Sequence, residues 1–198
     1  MNLAQLDAVT IDAFETLMIL DDPLPRLHTL LPNHEPVAIE QAFRLEGAYY
    51  REHVASGRDA ETLATLRASC VAVFNDSLGA TLSVDEYVGA LEFSLLPGTL
   101  EALQRLRAVG LTLAAVANWD FGLHEHLATV GIDAYFAIVV HAAAKPDPAG
   151  ILHALQTIGA RPDRAVHIGD EPADERAALA AGVAFLPAPL AEAVASLG

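Results

Sequence analysis

From residue 97 onward one unit recurs: a helical stretch closed by glycine, then a short and almost wholly apolar run. "GTLEALQRLRAVG" (98–110) precedes "LTLAAVAN" (111–118), and "DFGLHEHLATVG" (120–131) precedes "YFAIVV" (135–140). "DPAGILHALQTIG" (147–159) precedes "RAVHIGD" (164–170), and "ADERAALAAG" (173–182) precedes "VAFLP" (183–187). Glycine just past a last helical turn accepts the left-handed backbone that ends a helix. Strands that are apolar throughout, without alternation, are covered on both faces. The pattern predicts an α/β fold, a Rossmann-like parallel sheet with helices packed on it. "DAVTID" (7–12) reads as a further strand that has to join the same sheet.

Residues 21–96 break this rhythm. "EPVAIEQAFRLEGAYYREHV", "DAETLATLRASCVAVFNDSLG" and "SVDEYVGALEFSLL" carry helical periodicity and almost no strand pattern. The expected organisation is a core of residues 1–20 and 97–198, interrupted after the first strand by an all-helical domain of residues 21–96. No repeat or low-complexity linker separates the two.

Composition narrows the function classes. With 198 residues, 53% of them hydrophobic, the chain holds enough apolar surface for a core with an insertion and is not a disordered one. A formal charge of −15 opposes nucleic-acid binding. It also repels an anionic substrate unless a local cation overrides the global field. No apolar run reaches membrane-spanning length, and "MNLAQLDAVT" does not read as a signal peptide. Cys70 is the only cysteine, so no internal disulfide forms; it sits in the helical pattern "LRASCVAVF" as a buried small hydrophobe. The expectation is a cytoplasmic protein that binds neither nucleic acid nor membrane and is a monomer or homodimer.

The predicted strand ends carry the chemistry. In chain order they present Asp12 with Thr16; Asn118 with Trp119 and Asp120; Lys145 within "KPDP"; and Asp170 with Asp174 within "IGDEPADE". Open α/β sheets bind ligands beyond the carboxyl ends of their strands, so three carboxylates and one lysine are expected to converge there. The acids repel one another, and a divalent cation together with Lys145 would relieve that. Oxygen-only ligation without a Cys or His cluster suits Mg²⁺.

The order D-x-x-x-T-L, then N-W-D, then K-P-D-P, then G-D-x-x-x-D resembles the haloacid dehalogenase-like hydrolase superfamily. The helical insertion stands where that family's cap-bearing members carry their α-helical cap. The resemblance implies that Asp12 is a nucleophile forming a covalent intermediate, and that Lys145 neutralises it and the transferring group. It implies a metal site built from Asp12, the Phe14 backbone carbonyl, Asp170 and Asp174, with Glu175 as a rival for the last place. Substrate contacts are implied for Thr16, for the Ala117 position and for Asn118.

Three departures qualify the resemblance. Family phosphatases usually carry Asp two residues after the nucleophile, to protonate the leaving group and activate water; here Phe14 has no proton to give. The second motif usually supplies Ser or Thr to hold phosphate, and here it is Ala117. The stretch before Lys145, "VVHAAAKPDP", also lacks a glycine. The resulting expectation is an Mg²⁺-dependent phosphatase of small phosphorylated metabolites with altered acid catalysis. The alternatives are a 2-haloacid dehalogenase-like enzyme, for which an aromatic residue at the Phe14 position speaks, and a non-catalytic binding module.

Other polar residues have plainer readings. Asp120 is expected to cap its helix. Asp174 balances between ligand support and a first-turn helix acid. Trp119 reads as a packing residue. His124 and His126, two apart on a helix, make a poor metal pair. His141 reads as a loop residue and His167, on a buried strand, as a satisfied core histidine. Tyr49, Tyr50, Arg51 and His53 read as part of an amphipathic helix.

Overall fold

Val9 and Ile11 send branched side chains to one face of β1 (Ala8–Ile11) while Ala8 and Thr10 face the other, and all four are buried. β1 therefore stands in the middle of its sheet. The computed structural model describes residues 3–197. After β1 the chain forms β2 (Met18–Leu20), α1 (Leu24–Leu30), α2 (Pro36–His53), α3 (Ala60–Leu78), α4 (Val84–Gly89) and β3 (Phe93–Leu95). It then alternates: α5 (Thr99–Ala108), β4 (Thr112–Val116), α6 (Leu123–Thr129), β5 (Ile138–Val140), α7 (Ala149–Ile158), β6 (Ala165–Gly169), α8 (Pro172–Ala180), β7 (Ala184–Pro187) and α9 (Leu190–Ser196).

The five strands β5-β4-β1-β6-β7 form one parallel sheet in that order. Register is set by pairing Thr10 with Ala114 on one side and with His167 on the other. α7 packs on β1, β4 and β5, and α8 on β6 and β7, around a cluster that includes Ala8, Ala114, Val116, Ile151, Leu155 and Ala177. Small residues on the strands let the two helices lie close.

The chain divides into two compact units, residues 1–19 with 94–198, and residues 20–93. The second unit has its own core, built on Leu27, Ile39, Val71, Phe74 and Tyr87 from α1 to α4. Its longest helix, α3, starts with a reciprocal capping box between Asp59 and Thr62 and ends at Gly79 in the left-handed conformation. Within it, Tyr87 donates to the buried Glu46 carboxylate at 2.9 Å.

Three features were not legible as drawn. β2 and β3 pair in a two-stranded ribbon, so the insertion is flanked by strand and is not helical to its edges. The strand read at 135–140 begins only at Ile138, because residues 133–135 take a short 3₁₀ turn. The apolar C-terminal stretch forms α9, which packs on α5, β6 and β7. Among the described residues, no helix is long and apolar enough to cross a membrane.

Candidate active site

Parallel strands point their carboxyl ends the same way, and those of β1, β4, β5 and β6 are followed by Asp12, Ala117, the 141–145 loop and Asp170. Asp12 is anchored by its own N–H, which donates to the Ile168 carbonyl at 2.9 Å. Lys145 reaches in from the loop after β5, buried, and its Nζ bonds both Asp12 Oδ1 and Asp174 Oδ1. Carboxylate oxygens of Asp12, Asp170 and Asp174 lie within 4.8 Å of one another. Thr16, fully buried, donates to Asp170 Oδ1 at 3.4 Å. Glu175 is exposed on the first turns of α8, whereas Asp174 is buried, so the geometry brings Asp174 and not Glu175 into the cluster.

Asp174 is the best-held member. Its Oδ1 also meets His167 Nε2 at 3.1 Å, and its Oδ2 accepts the Glu171 N–H at 3.0 Å. Gly169 makes room for it: a Cβ there would lie 2.4 Å from Asp174 Cγ. The glycine of "IGD" is thus required by packing, with no unusual dihedral involved.

The loop that carries Lys145 is fixed by the end of β4. The Ala142 N–H donates to the Trp119 carbonyl at 2.7 Å, and the Ala143 N–H to the Ala117 carbonyl at 3.1 Å. Asn118 then holds the lysine backbone with both ends of its amide, accepting from Lys145 N at 2.8 Å and donating to Lys145 O at 2.9 Å. The side chain expected to meet substrate is engaged in this bracket. Ala142 and Ala144 adopt positive φ (48° and 56°), where glycine is the usual choice. Two alanines thus hold the backbone conformation that glycine adopts most easily. Gly150 of α7 closes in on the same loop, 2.8 Å from Ala143 Cβ were it to bear a Cβ.

Charge in the cluster is unevenly settled. Burial pushes the Asp12 carboxyl up to about 7; the Lys145 charge opposes this, while Asp174 and Asp170 reinforce it. Burial also pushes Asp174 upward, but the His167 hydrogen bond and the Lys145 ammonium outweigh it and hold that acid at about 2. For Lys145, burial pulls the pKa down and the two carboxylates more than restore it. His167 is pushed below its ordinary value, first by burial. Asp170, exposed at the rim, is raised by partial burial and by its acidic neighbours. One lysine against three acids leaves an excess of negative charge, all on hard oxygen donors, and such a set fits Mg²⁺.

Phe14 stands beside this cluster, two residues past Asp12, with 40% of its surface exposed. Its ring meets Trp119 edge-on at 6.2 Å, and Trp119 in turn lies against His126 at 5.4 Å. Asp120 accepts from the Gly122 N–H at 2.7 Å in the turn before α6, but the N-cap of that helix is Gly122 and carries no side-chain cap, so Asp120 stands two residues too early to cap it as expected. His124 and His141 sit 5.9 Å apart, ring edge to face, next to Phe121. Among the described residues, the acidic trio is the one His, Cys, Asp or Glu group suited to a metal. His167 is the satisfied core histidine expected, fully buried with both ring nitrogens bonded, and its partners Thr10 (Nδ1, 2.9 Å) and Asp174 tie it to the acid cluster. No sequence signal marks these partners, since Thr10 and His167 become neighbours only through the pairing of β1 with β6.

A family model described as haloacid dehalogenase-like hydrolase matches residues 6–182. A Xenopus laevis relative, haloacid dehalogenase-like hydrolase domain-containing protein 3, is 37% identical over 91 residues, 43% of this chain and 37% of that protein. A phosphoglycolate phosphatase of Nitrosococcus oceani is 38% identical over 92 residues, 44% of this chain and 41% of that one. The alignments thus span about two fifths of these curated relatives' length. Among solved structures, an L-2-haloacid dehalogenase from Xanthobacter autotrophicus superposes with a TM-score of 0.64 at 20% identity, covering 91% of this chain and 76% of its own, which shows a shared fold. Since the family match runs from before β1, through the helical insertion, to just past the end of α8, the chain belongs to the haloacid dehalogenase-like hydrolases.

Proposed function

We propose that the chain is an Mg²⁺-assisted phosphatase of small phosphorylated metabolites, working through an aspartyl-phosphate and selecting substrates whose leaving group needs no proton. The observation that carries this reading is the single buried lysine shared by Asp12 and Asp174, with a third carboxylate, Asp170, within 4.8 Å. Such a cluster is short of positive charge, and a phosphate group would worsen the deficit unless a cation joined it. Asp12, the Phe14 carbonyl and Asp170 would hold Mg²⁺, with Asp174 in support. When bound, the ion supplies charge neutralisation for the transferring phosphoryl group.

The chain's own residues supply the rest. Asp12 Oδ attacks phosphorus, forming an O–P bond as the bond to the leaving oxygen breaks. Water then attacks the aspartyl-phosphate and releases inorganic phosphate and the free carboxylate. Lys145 stabilises charge on the carboxylate and the phosphoryl oxygens. Asn118 keeps Lys145 aimed, while Ala117 offers phosphate no hydroxyl and spends its own N–H on the Val140 carbonyl at 2.9 Å. Phe14 provides no acid, so the leaving group departs as an anion. Acyl and aryl phosphates meet that condition, and alkyl phosphates do not. The relatives named phosphoglycolate phosphatase support a small phosphorylated compound as the substrate class.

The assay compares acetyl phosphate, an aryl phosphate, phosphoglycolate and a sugar phosphate, with Mg²⁺ and with chelator. General acid help is worth about 10²–10⁴-fold, so the first two should exceed the last two by that order. Folded protein inert on all four overturns the phosphatase reading. An aromatic residue two positions after Asp12, with 40% of its surface exposed, favours one rival, displacement of halide from a 2-haloacid; chelator-resistant halide release from 2-chloropropionate would establish it.

A further inference from the structure

A histidine on a central strand is an expensive choice. β6 reads Ala165, Val166, His167, Ile168 and Gly169, all buried, and neither His167 nor Thr10 has any exposed surface. An apolar pair would fill the same space without the desolvation cost of an imidazole and a hydroxyl. Both polar groups are instead spent on a connected line. Thr10 Oγ1 meets His167 Nδ1 at 2.9 Å, His167 Nε2 meets Asp174 Oδ1 at 3.1 Å, and that same oxygen accepts from Lys145 Nζ. The line ends at Asp12, which takes a second Lys145 hydrogen bond.

The direction of the protons follows from the inventory of donors. Asp174 accepts from Lys145 Nζ at Oδ1 and from the Glu171 N–H at Oδ2, so a carboxyl gripped by donors at both oxygens meets His167 as an acceptor. His167 Nε2 must therefore carry a hydrogen. In the neutral ring Nδ1 is then bare, and Thr10 must donate to it. A ring flip or the other tautomer would set a lone pair or a carbon against Asp174 Oδ1. With both ring nitrogens tied, Asp174 is held from the sheet through His167 and from the chain through Glu171 N–H. Lysine is a flexible four-carbon stem with a point charge at its end, so its aim depends on the acids that grip it.

We propose that His167, completed by Thr10, is a positioning residue: it fixes Asp174 so that Lys145 is held on Asp12. This rests on the reading of Asp12 and Lys145 as the reacting pair for any loss of turnover, while the placement of Lys145 stands on its own.

Two variants separate positioning from space filling. His167→Leu keeps the volume roughly and removes both nitrogens; His167→Gln returns an N–H donor toward Asp174. Positioning requires turnover of acetyl phosphate in the order wild type, Gln, Leu, with kcat for Leu down about 10- to 100-fold, the usual cost of losing a partner that orients a site group, and KM changed far less. A filler role predicts the reverse, Leu at least as active as Gln. The second readout needs no substrate. Nitrogen-15 NMR of the folded protein should show His167 protonated at Nε2 alone, and a slowly exchanging Lys145 ammonium signal present in wild type and Gln but lost in Leu. If Leu does not fold, Thr10→Val is read in the same way and should broaden both signals. A wild type inert on every phosphate but with these signals as expected sinks the phosphatase reading alone. An Nδ1-protonated ring, or a Lys145 signal indifferent to all three changes, overturns the proposal.

Discussion

Asp12 concentrates the electrostatic conflict of the site, and its titration tests it. Its carboxyl is raised from 3.8 to about 7 on folding, chiefly by burial. A raised acid binds its proton more tightly when folded, so its contribution to stability falls as pH climbs from about 4 to about 7. Asp174 and His167, both lowered, act in the opposite sense and lose stability on acidification. The Asp12 part is isolated by difference. In chelator, the Tm of Asp12→Asn minus that of wild type should rise steadily between pH 4 and pH 7; a flat difference means the Asp12 acid is not raised. Gly169 gives a second test at this scale. Gly169→Ala would set a methyl group 2.4 Å from Asp174 Cγ and drive that acid off Lys145. Activity should fall at least about 10-fold, as for lost site support, while circular dichroism stays native. Full activity would show that Asp174 need not stand where it does.

Among the elements, the helical unit stakes its core on one polar pair. Glu46 of α2 is buried with its carboxyl raised, first by burial, and Tyr87 of α4 donates to it at 2.9 Å. Tyr87→Phe removes the phenol donor and leaves Cys70 as the remaining side-chain partner of that carboxyl, so it should cost about 1 kcal/mol, the usual net worth of one hydrogen bond. Urea melts read this as a lower midpoint at unchanged slope; an unchanged midpoint would show that Glu46 finds another donor. The loop after β5 is the other telling element. Its path was readable only in part, because "HAAAKPDP" offers no glycine and Ala142 and Ala144 nonetheless take positive φ. Alanine in that region is held by its surroundings. Backbone bonds to Trp119 and Ala117, together with the Asn118 bracket, come from a strand distant in sequence.

For the whole molecule, the test is linkage between metal and fold. A cation that binds the folded acid cluster and not the unfolded chain stabilises by about 1.4 kcal/mol at ten times its Kd. For a chain of 198 residues that is a rise in Tm of about 3–6 °C. Mg²⁺ should produce it at neutral pH and Asp170→Asn should abolish it; a wild-type Tm indifferent to millimolar Mg²⁺ would favour the metal-free rival. The sequence by itself determined the class of fold, the place of the insertion and the residues at each strand end. Those follow from local rules: the period of apolar residues, glycine past a helix, and strands with no polar face. Phe14 and Ala117 were equally plain as departures, since each is judged against the family's motif at its own position. Tertiary structure alone decided that Asp174 and not Glu175 joins the cluster, that Asn118 grips the Lys145 backbone, and that the partners satisfying His167 are Thr10 and the acid Asp174. Each of these depends on which strand lies beside which and in what register. Thr10 and His167 are 157 residues apart, and only the β1–β6 pairing makes them neighbours.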